Sequence, residues 1–217
     1  MTTNLINFFI QRKNYLILTF TIGYVVTFGL NAFLQANFEF LYYILLMVGL
    51  IYLAVFLNRR LHLAFFIIVN LSLLGFLHLL GGIAYLGSTR LYDLYFFTGV
   101  IRYDNLIHAY GTFIATLTLY GVLVNFIDER IRRNYFAFYL MLVLMAIGIG
   151  TIVELIELFA VVFLGAAQQV GEYFNNALDL LFNTLGSMLA CTVLYLYRTR
   201  PHPFQLTLPY GKTRKNH

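Results

Sequence analysis

Apolar residues fall into six long runs along this chain, separated by short stretches that carry charge, glycine or both. The runs cover about Tyr15–Leu34, Phe40–Leu57, Leu61–Leu86, Tyr103–Ile127, Tyr135–Leu164 and Asn175–Tyr197. At about 1.5 Å of rise per residue, helices of these lengths cross a hydrocarbon core about 30 Å thick. The third and fifth runs are overlong, so tilt or protrusion is expected. Arg12 and Lys13 precede the first run as in a signal peptide. Its apolar stretch is too long for that role and no small-residue cleavage site follows, so it reads as an uncleaved anchor. The short, Phe-rich Leu5–Ile10 reads as a segment lying along the interface. The expected fold is all-α, a polytopic bundle of six transmembrane helices over residues 1–197. A basic cytoplasmic tail over residues 198–217, with Pro201, Pro203 and Pro209, is expected to lie near anionic headgroups.

Composition agrees and removes alternatives. The chain is 61% hydrophobic and 11% charged, against about 25% charge in soluble domains, which excludes a water-soluble globule. A net charge of +5 invites a nucleic-acid reading, but the basic residues sit in clusters between apolar runs, which is the pattern of membrane topology. Of the 14 Lys and Arg residues, only Arg90 and Arg102 lie in the connections on one side. The rest fall at the N-terminus, in the second and fourth connections and in the tail. The positive-inside rule then places both termini in the cytoplasm of a multi-pass protein of the inner or plasma membrane. Trp is absent, and Tyr takes the interfacial anchoring role. The single cysteine, Cys191, has no pairing partner and reads as a small buried apolar residue.

Ionisable groups inside a span cost several kcal/mol unless paired or facing water, and this chain carries a set of them. His78 lies in the third run. Asp104 and His108 are four apart in the fourth. Glu154 and Glu157 are three apart in the fifth. Asn175, Asp179 and Asn183 follow at steps of four in the sixth. Spacings of three and four put each group on one helix face. Helical rise places His78, His108, Glu154, Glu157, Asp179 and Asn183 about 6–15 Å below the outer end of their spans. One polar slab therefore forms in the outer half, and the inner halves hold almost nothing comparable. Two stripes of small residues are expected to face each other inside the bundle, Asp104, His108, Gly111, Ala115 and Thr118 against Asn175, Asp179, Asn183, Gly186 and Ala190. Gly150 lies behind Glu154, and Gly75, Gly81 and Gly82 surround His78.

Taken singly, each residue has a plainer reading. A lone His or Asn in a span is often a satisfied hydrogen bond between helices. Asp104 and Asn175 can be caps, and Asp93 and Arg102 solvated loop charges. The adjacent carboxylates Glu154 and Glu157 resist this, since two such groups one turn apart must be protonated, paired or bound to a cation. The donor types suit a divalent metal such as Zn, Mn, Fe or Mg, but no HExxH, paired ExxH or cysteine cluster is present, and a proton relay uses the same residues.

The motifs resemble those of the YjdF-like inner-membrane family. A His followed by a Gly pair stands at Leu77–Tyr85, a Tyr-Asp-x-x-x-His segment at Arg102–Phe113, Glu-Leu-Ile-Glu at Glu154–Glu157, and an Asp-bearing final helix around Asp179. The chain departs from that pattern just before Asp179, at Asn175, Asn176, Ala177 and Leu178. Asp104, His108, Glu154, Asp179, Asn183 and Gly186 are also similar to the VanZ-like pattern, a group associated with glycopeptide-antibiotic tolerance. The resemblance spans about His78 to Ala190 and implies a site without naming its chemistry.

The expected function is a polar site in the outer leaflet half that binds or modifies an envelope or lipid molecule. Glu154, Glu157, His108, Asp104 and Asp179 are the catalytic candidates, with a Glu as general base and His108, oriented by Asp104, as acid or ligand. His78, Asn183 and Tyr85 are the substrate-contacting candidates. The expected partners are the bilayer and a lipid or envelope-linked small molecule, with no nucleic acid, while protein partners are left open. Alternatives are a small proton- or ion-coupled transporter and a non-catalytic scaffold or assembly factor.

Overall fold

The computed structural model describes residues 2–97, 99–165 and 173–199. The tail beyond Thr199 and the Gly171–Glu172 connection lie outside them. Helices α1 (Thr2–Leu34), α2 (Phe38–Leu61) and α3 (Phe65–Ile83) are followed by two small antiparallel ladders, β1 (Tyr85–Leu86) with β2 (Thr89–Arg90) and β3 (Tyr95–Phe97) with β4 (Ile101–Arg102). A single 3-10 turn, Leu91–Asp93, joins them. Then come α4 (Tyr103–Leu123), the short α5 (Glu129–Arg133), α6 (Tyr135–Leu164) and α7 (Tyr173–Thr199). Six of these helices are long and apolar enough to cross a membrane, so the chain is an all-α, multi-pass membrane bundle. Leu45, Leu144 and Phe163 illustrate its apolar, exposed exterior.

Local chemistry sets the ends of the helices. The Asn37 side chain accepts a hydrogen bond from the Phe40 N–H at 3.0 Å and starts α2, and Asn134 does the same for Ala137 at the head of α6. Gly165 closes α6 in the left-handed region at φ 72°, which glycine adopts without strain. At the head of α4, the Asn105 side-chain oxygen accepts from the Arg102 N–H at 2.8 Å.

Three expectations change. The third span is not overlong, because α3 stops at Ile83, where Ala84 turns extended and Tyr85–Leu86 pairs as a strand across a turn containing Gly87 at φ 64°. Leu5–Ile10 is not a separate interfacial segment but the first part of a continuous α1. Asp93 is tied rather than merely solvated, since Arg90 Nε lies 3.0 Å from its Oδ2.

Two larger apolar clusters, and a small one around Ala160, hold the bundle among the described residues. Tyr24, Val25, Ala32, Phe40 and Leu79 join α1, α2 and α3. Leu63, Ile67, Ile114, Leu117, Phe138, Leu142, Cys191 and Leu194 join α3, α4, α6 and α7 toward the end opposite the strands. The closest pair is α4 with α7. A Cβ at Gly186 would overlap the Ala109 carbonyl oxygen and come within 2.6 Å of Thr112 Oγ1, so glycine is what lets these backbones meet. The α7 stripe is buried as expected, from Asn175 through Asp179, Asn183 and Gly186 to Ala190. On α4 the apposed face is turned by one residue. Asn105, Ala109, Thr112 and Thr116 share that face, whereas Gly111 abuts Leu74 of α3.

Candidate functional site

The polar residues converge at the end of the bundle that carries the strands. His108, on the second turn of α4, is buried with its side chain 7% exposed. Its Nε2 lies 3.6 Å from Asp104 Oδ1, one turn earlier on the same helix, and 3.9 Å from Glu157 Oε1 on α6. Its Nδ1 lies 3.4 Å from Glu154 Oε1. The spacing of three between Glu154 and Glu157 is what allows one face of α6 to present both carboxylates to one imidazole.

Asp179 of α7 completes the group. Asn105 Nδ2 donates to its Oδ1 at 2.7 Å, and Asn175 Nδ2 donates to its Oδ2 at 2.8 Å. Asn175 Nδ2 also reaches Asp104 Oδ2 at 3.4 Å. Asn175 therefore lies inside the helix and orients two carboxylates, which replaces its reading as a cap. One ligand atom from each of Asp104, His108 and Asp179 lies within 4.8 Å of the others. Both Glu154 carboxylate oxygens are buried with no hydrogen-bond partner among the described residues.

Beside this cluster lies a small cleft of about 50 Å³, lined by Phe40, Tyr43, His78, Gly82, Tyr92, Asp104 and Glu157. Three aromatic rings form its walls, and two carboxylates are exposed to it. His78 reaches the site through Tyr92, whose hydroxyl meets His78 Nδ1. Tyr92 sits in the 3-10 turn outside the spans. Burial, and then the Asp104 and Glu157 carboxylates, push its pKa well above the ordinary phenol value, so it keeps its proton. Glycine at Gly81 and Gly82 makes room for these rings, since a Cβ there would press on Tyr103 and Tyr92 or on Phe40.

Of the residues singled out from sequence, Asp104, His108, Glu154, Glu157 and Asp179 meet in one cluster, and His78 borders the cleft. Asn183 lies buried against Gly150, its Nδ2 without a hydrogen-bond partner among the described residues. Tyr85 is not part of the constellation. It lies in β1, is 65% exposed, and does not line the cleft, because the helix ends before it. Sequence reasoning missed Asn105, Tyr92, Phe40 and Tyr43. Asn105 carried a usable signal, the run Asn105, Ala109, Thr112, Thr116 of small and polar residues at helical spacing. The other three come from α2 and from the 3-10 turn, which carry none of the cluster's ionisable residues.

The arrangement sets four carboxylates around one imidazole, next to an aromatic space open to a ligand. Such a group can hold a cation, trade protons or bind a polar headgroup. No curated protein and no solved structure matches the chain. A family model does, over residues 15–200, a stretch that includes every residue of the cluster, and the chain belongs to the DUF2238 family of predicted membrane proteins.

Proposed function

We propose that this protein binds and chemically alters an amphiphilic envelope or lipid molecule at the cluster. The observation that carries the reading is the cleft itself. Phe40, Tyr43 and Tyr92 form an apolar wall against which part of an amphiphile can rest, while Asp104 and Glu157 stand at its polar side. Glu157 borders the cleft and is the better placed general base. Glu154 faces His108 from α6 and acts as the group that orients it. Positive-inside counting favours cytoplasmic termini in the inner or plasma membrane, with the strand-bearing end and the cleft facing out. The likeness to YjdF-like and VanZ-like motifs supports a role at the cell envelope. The apolar packing of Leu117, Phe138, Leu142 and Leu194 toward the other end argues against a polar transport path through the bundle.

The test is native mass spectrometry and lipid analysis of the purified full-length protein. Wild type should carry a co-purifying amphiphile. Gly82→Val, which projects into the cleft against Phe40, should lose it, while Glu157→Gln should retain it unaltered. An amphiphile content that is the same in wild type and Gly82→Val would refute the proposal.

A further inference from the structure

We infer that Asp104, His108 and Asp179 bind one divalent first-row metal ion of the zinc, manganese or ferrous iron class, with Glu154 and Glu157 as adjoining donors. This deepens the proposal above and rests on it for the ion's purpose, because the cleft would bring the amphiphile's headgroup to the metal.

Four observations carry it. The first is distance. Two ligands of one such ion, each about 2.0–2.2 Å from it, are at most about 4.4 Å apart. The Asp104, His108 and Asp179 donors already lie within 4.8 Å of one another, so small side-chain rotations close the set. The second is unused bonding capacity. His108 is 7% exposed, and its nitrogens lie 3.4, 3.6 and 3.9 Å from carboxylate oxygens. Both oxygens of Glu154 are buried without a hydrogen-bond partner among the described residues.

The third observation is charge. Asp104, Glu154, Glu157 and Asp179 surround a single imidazole, and no lysine or arginine forms an ion pair with any of them among the described residues. Gathering four carboxylates in a low-dielectric bundle is costly, and a dication offsets that cost where a single imidazolium does not. The fourth is the surrounding support. Asn105 and Asn175 each donate to a different oxygen of Asp179, the outer hydrogen bonding that fixes a ligating carboxylate. Imidazole with carboxylate donors and no thiolate favours zinc, manganese or ferrous iron over copper(I) or calcium. Asp104 and Glu157 border the cleft, so the ion has a way in.

The experiment uses full-length protein in detergent, stripped with a chelator, dialysed and titrated with zinc chloride and manganese chloride by calorimetry. Elemental analysis of the unstripped protein runs in parallel. Wild type should bind about one ion per chain. Asn105→Ala should weaken binding about 10- to 100-fold, and Asp179→Asn and His108→Gln more, while Tyr85→Phe leaves it unchanged. Folding of each variant is checked by its thermal transition, and Glu154→Gln, which keeps shape, supplies a second test should Asp179→Asn not fold. Folded wild type that binds neither ion, or affinity unchanged in Asp179→Asn and His108→Gln, overturns the inference. Metal-free protein that still carries its amphiphile removes the metal and leaves the proposed function standing. One ion per chain without any amphiphile does the reverse.

Discussion

Replacing Gly186 by alanine tests the close approach of α4 and α7 on which the cluster depends. A Cβ at this position would overlap the Ala109 carbonyl oxygen and lie 2.8 Å from its carbonyl carbon and 2.6 Å from Thr112 Oγ1. The first two are backbone atoms, so no side-chain rotation relieves the overlap and the helices must move apart. Overpacking of this kind costs typically about 1–3 kcal/mol, and an obstacle made of backbone belongs at the upper end. Alanine in place of glycine also favours a helix by about 1 kcal/mol. Gly148→Ala on α6 gains the same propensity and meets nothing within 4 Å, so comparing the two variants cancels it. The expected difference is about 3 kcal/mol, which for a chain of this size corresponds to roughly 6–12 °C in Tm. The chain reports its own unfolding, because its one cysteine, Cys191, is buried against α6 with Sγ 3.7 Å from the Tyr139 carbonyl oxygen. A fluorogenic thiol dye reads its exposure during a thermal ramp in detergent. Equal Tm for Gly186→Ala and Gly148→Ala would show that the helices do not pack at this distance.

Other outcomes follow from the same geometry. Asn105→Ala removes the 2.7 Å bond to a buried carboxylate and should cost about 1.5–3 kcal/mol; thermal unfolding checks this, and a change under 0.5 kcal/mol would mean that Asp179 does not depend on α4. Glu154→Gln should leave the Tm of chelator-stripped protein unchanged or raise it, since the substitution removes a buried charge that has no hydrogen bond among the described residues, yet abolish complementation of a deletion strain; loss of function only in destabilised variants would favour a structural network. Alkaline phosphatase fused near Gly87–Thr89 should be active and fused at Asn58 or Arg132 silent, and the opposite pattern would invert the proposed orientation.

Much of this architecture follows from the chain read in one dimension. The free energy of placing a segment in lipid is nearly a sum over its residues, so six spans are legible without knowing which helix touches which. The fifth run and α6 share the bounds Tyr135–Leu164. Polar residues at three- and four-residue spacing are legible for a similar reason, since helical rise and period alone put Asp104 beside His108 and Glu154 beside Glu157. Their common depth also follows from counting residues along spans. The rotation of each helix about its axis is different. Small and polar residues lie on two faces of α4, Gly111 and Ala115 on one and Asn105, Ala109, Thr112 and Thr116 on the other, so spacing alone does not say which meets α7. The α4–α7 contact puts Asn105, rather than Gly111, in the interface and makes it a hydrogen-bond donor to Asp179. The cleft is wholly tertiary. Phe40 and Tyr43 come from α2, Gly82 from α3, Tyr92 from a turn between strands and Glu157 from α6. Tyr85, adjacent in sequence to the glycines that border the cleft, is carried away because Ala84 leaves the helix and the strand that follows has to pair. Short connections carry no periodic signal, and their course is set by the helices they join, so the contact of Tyr92 with His78 is not legible from spacing.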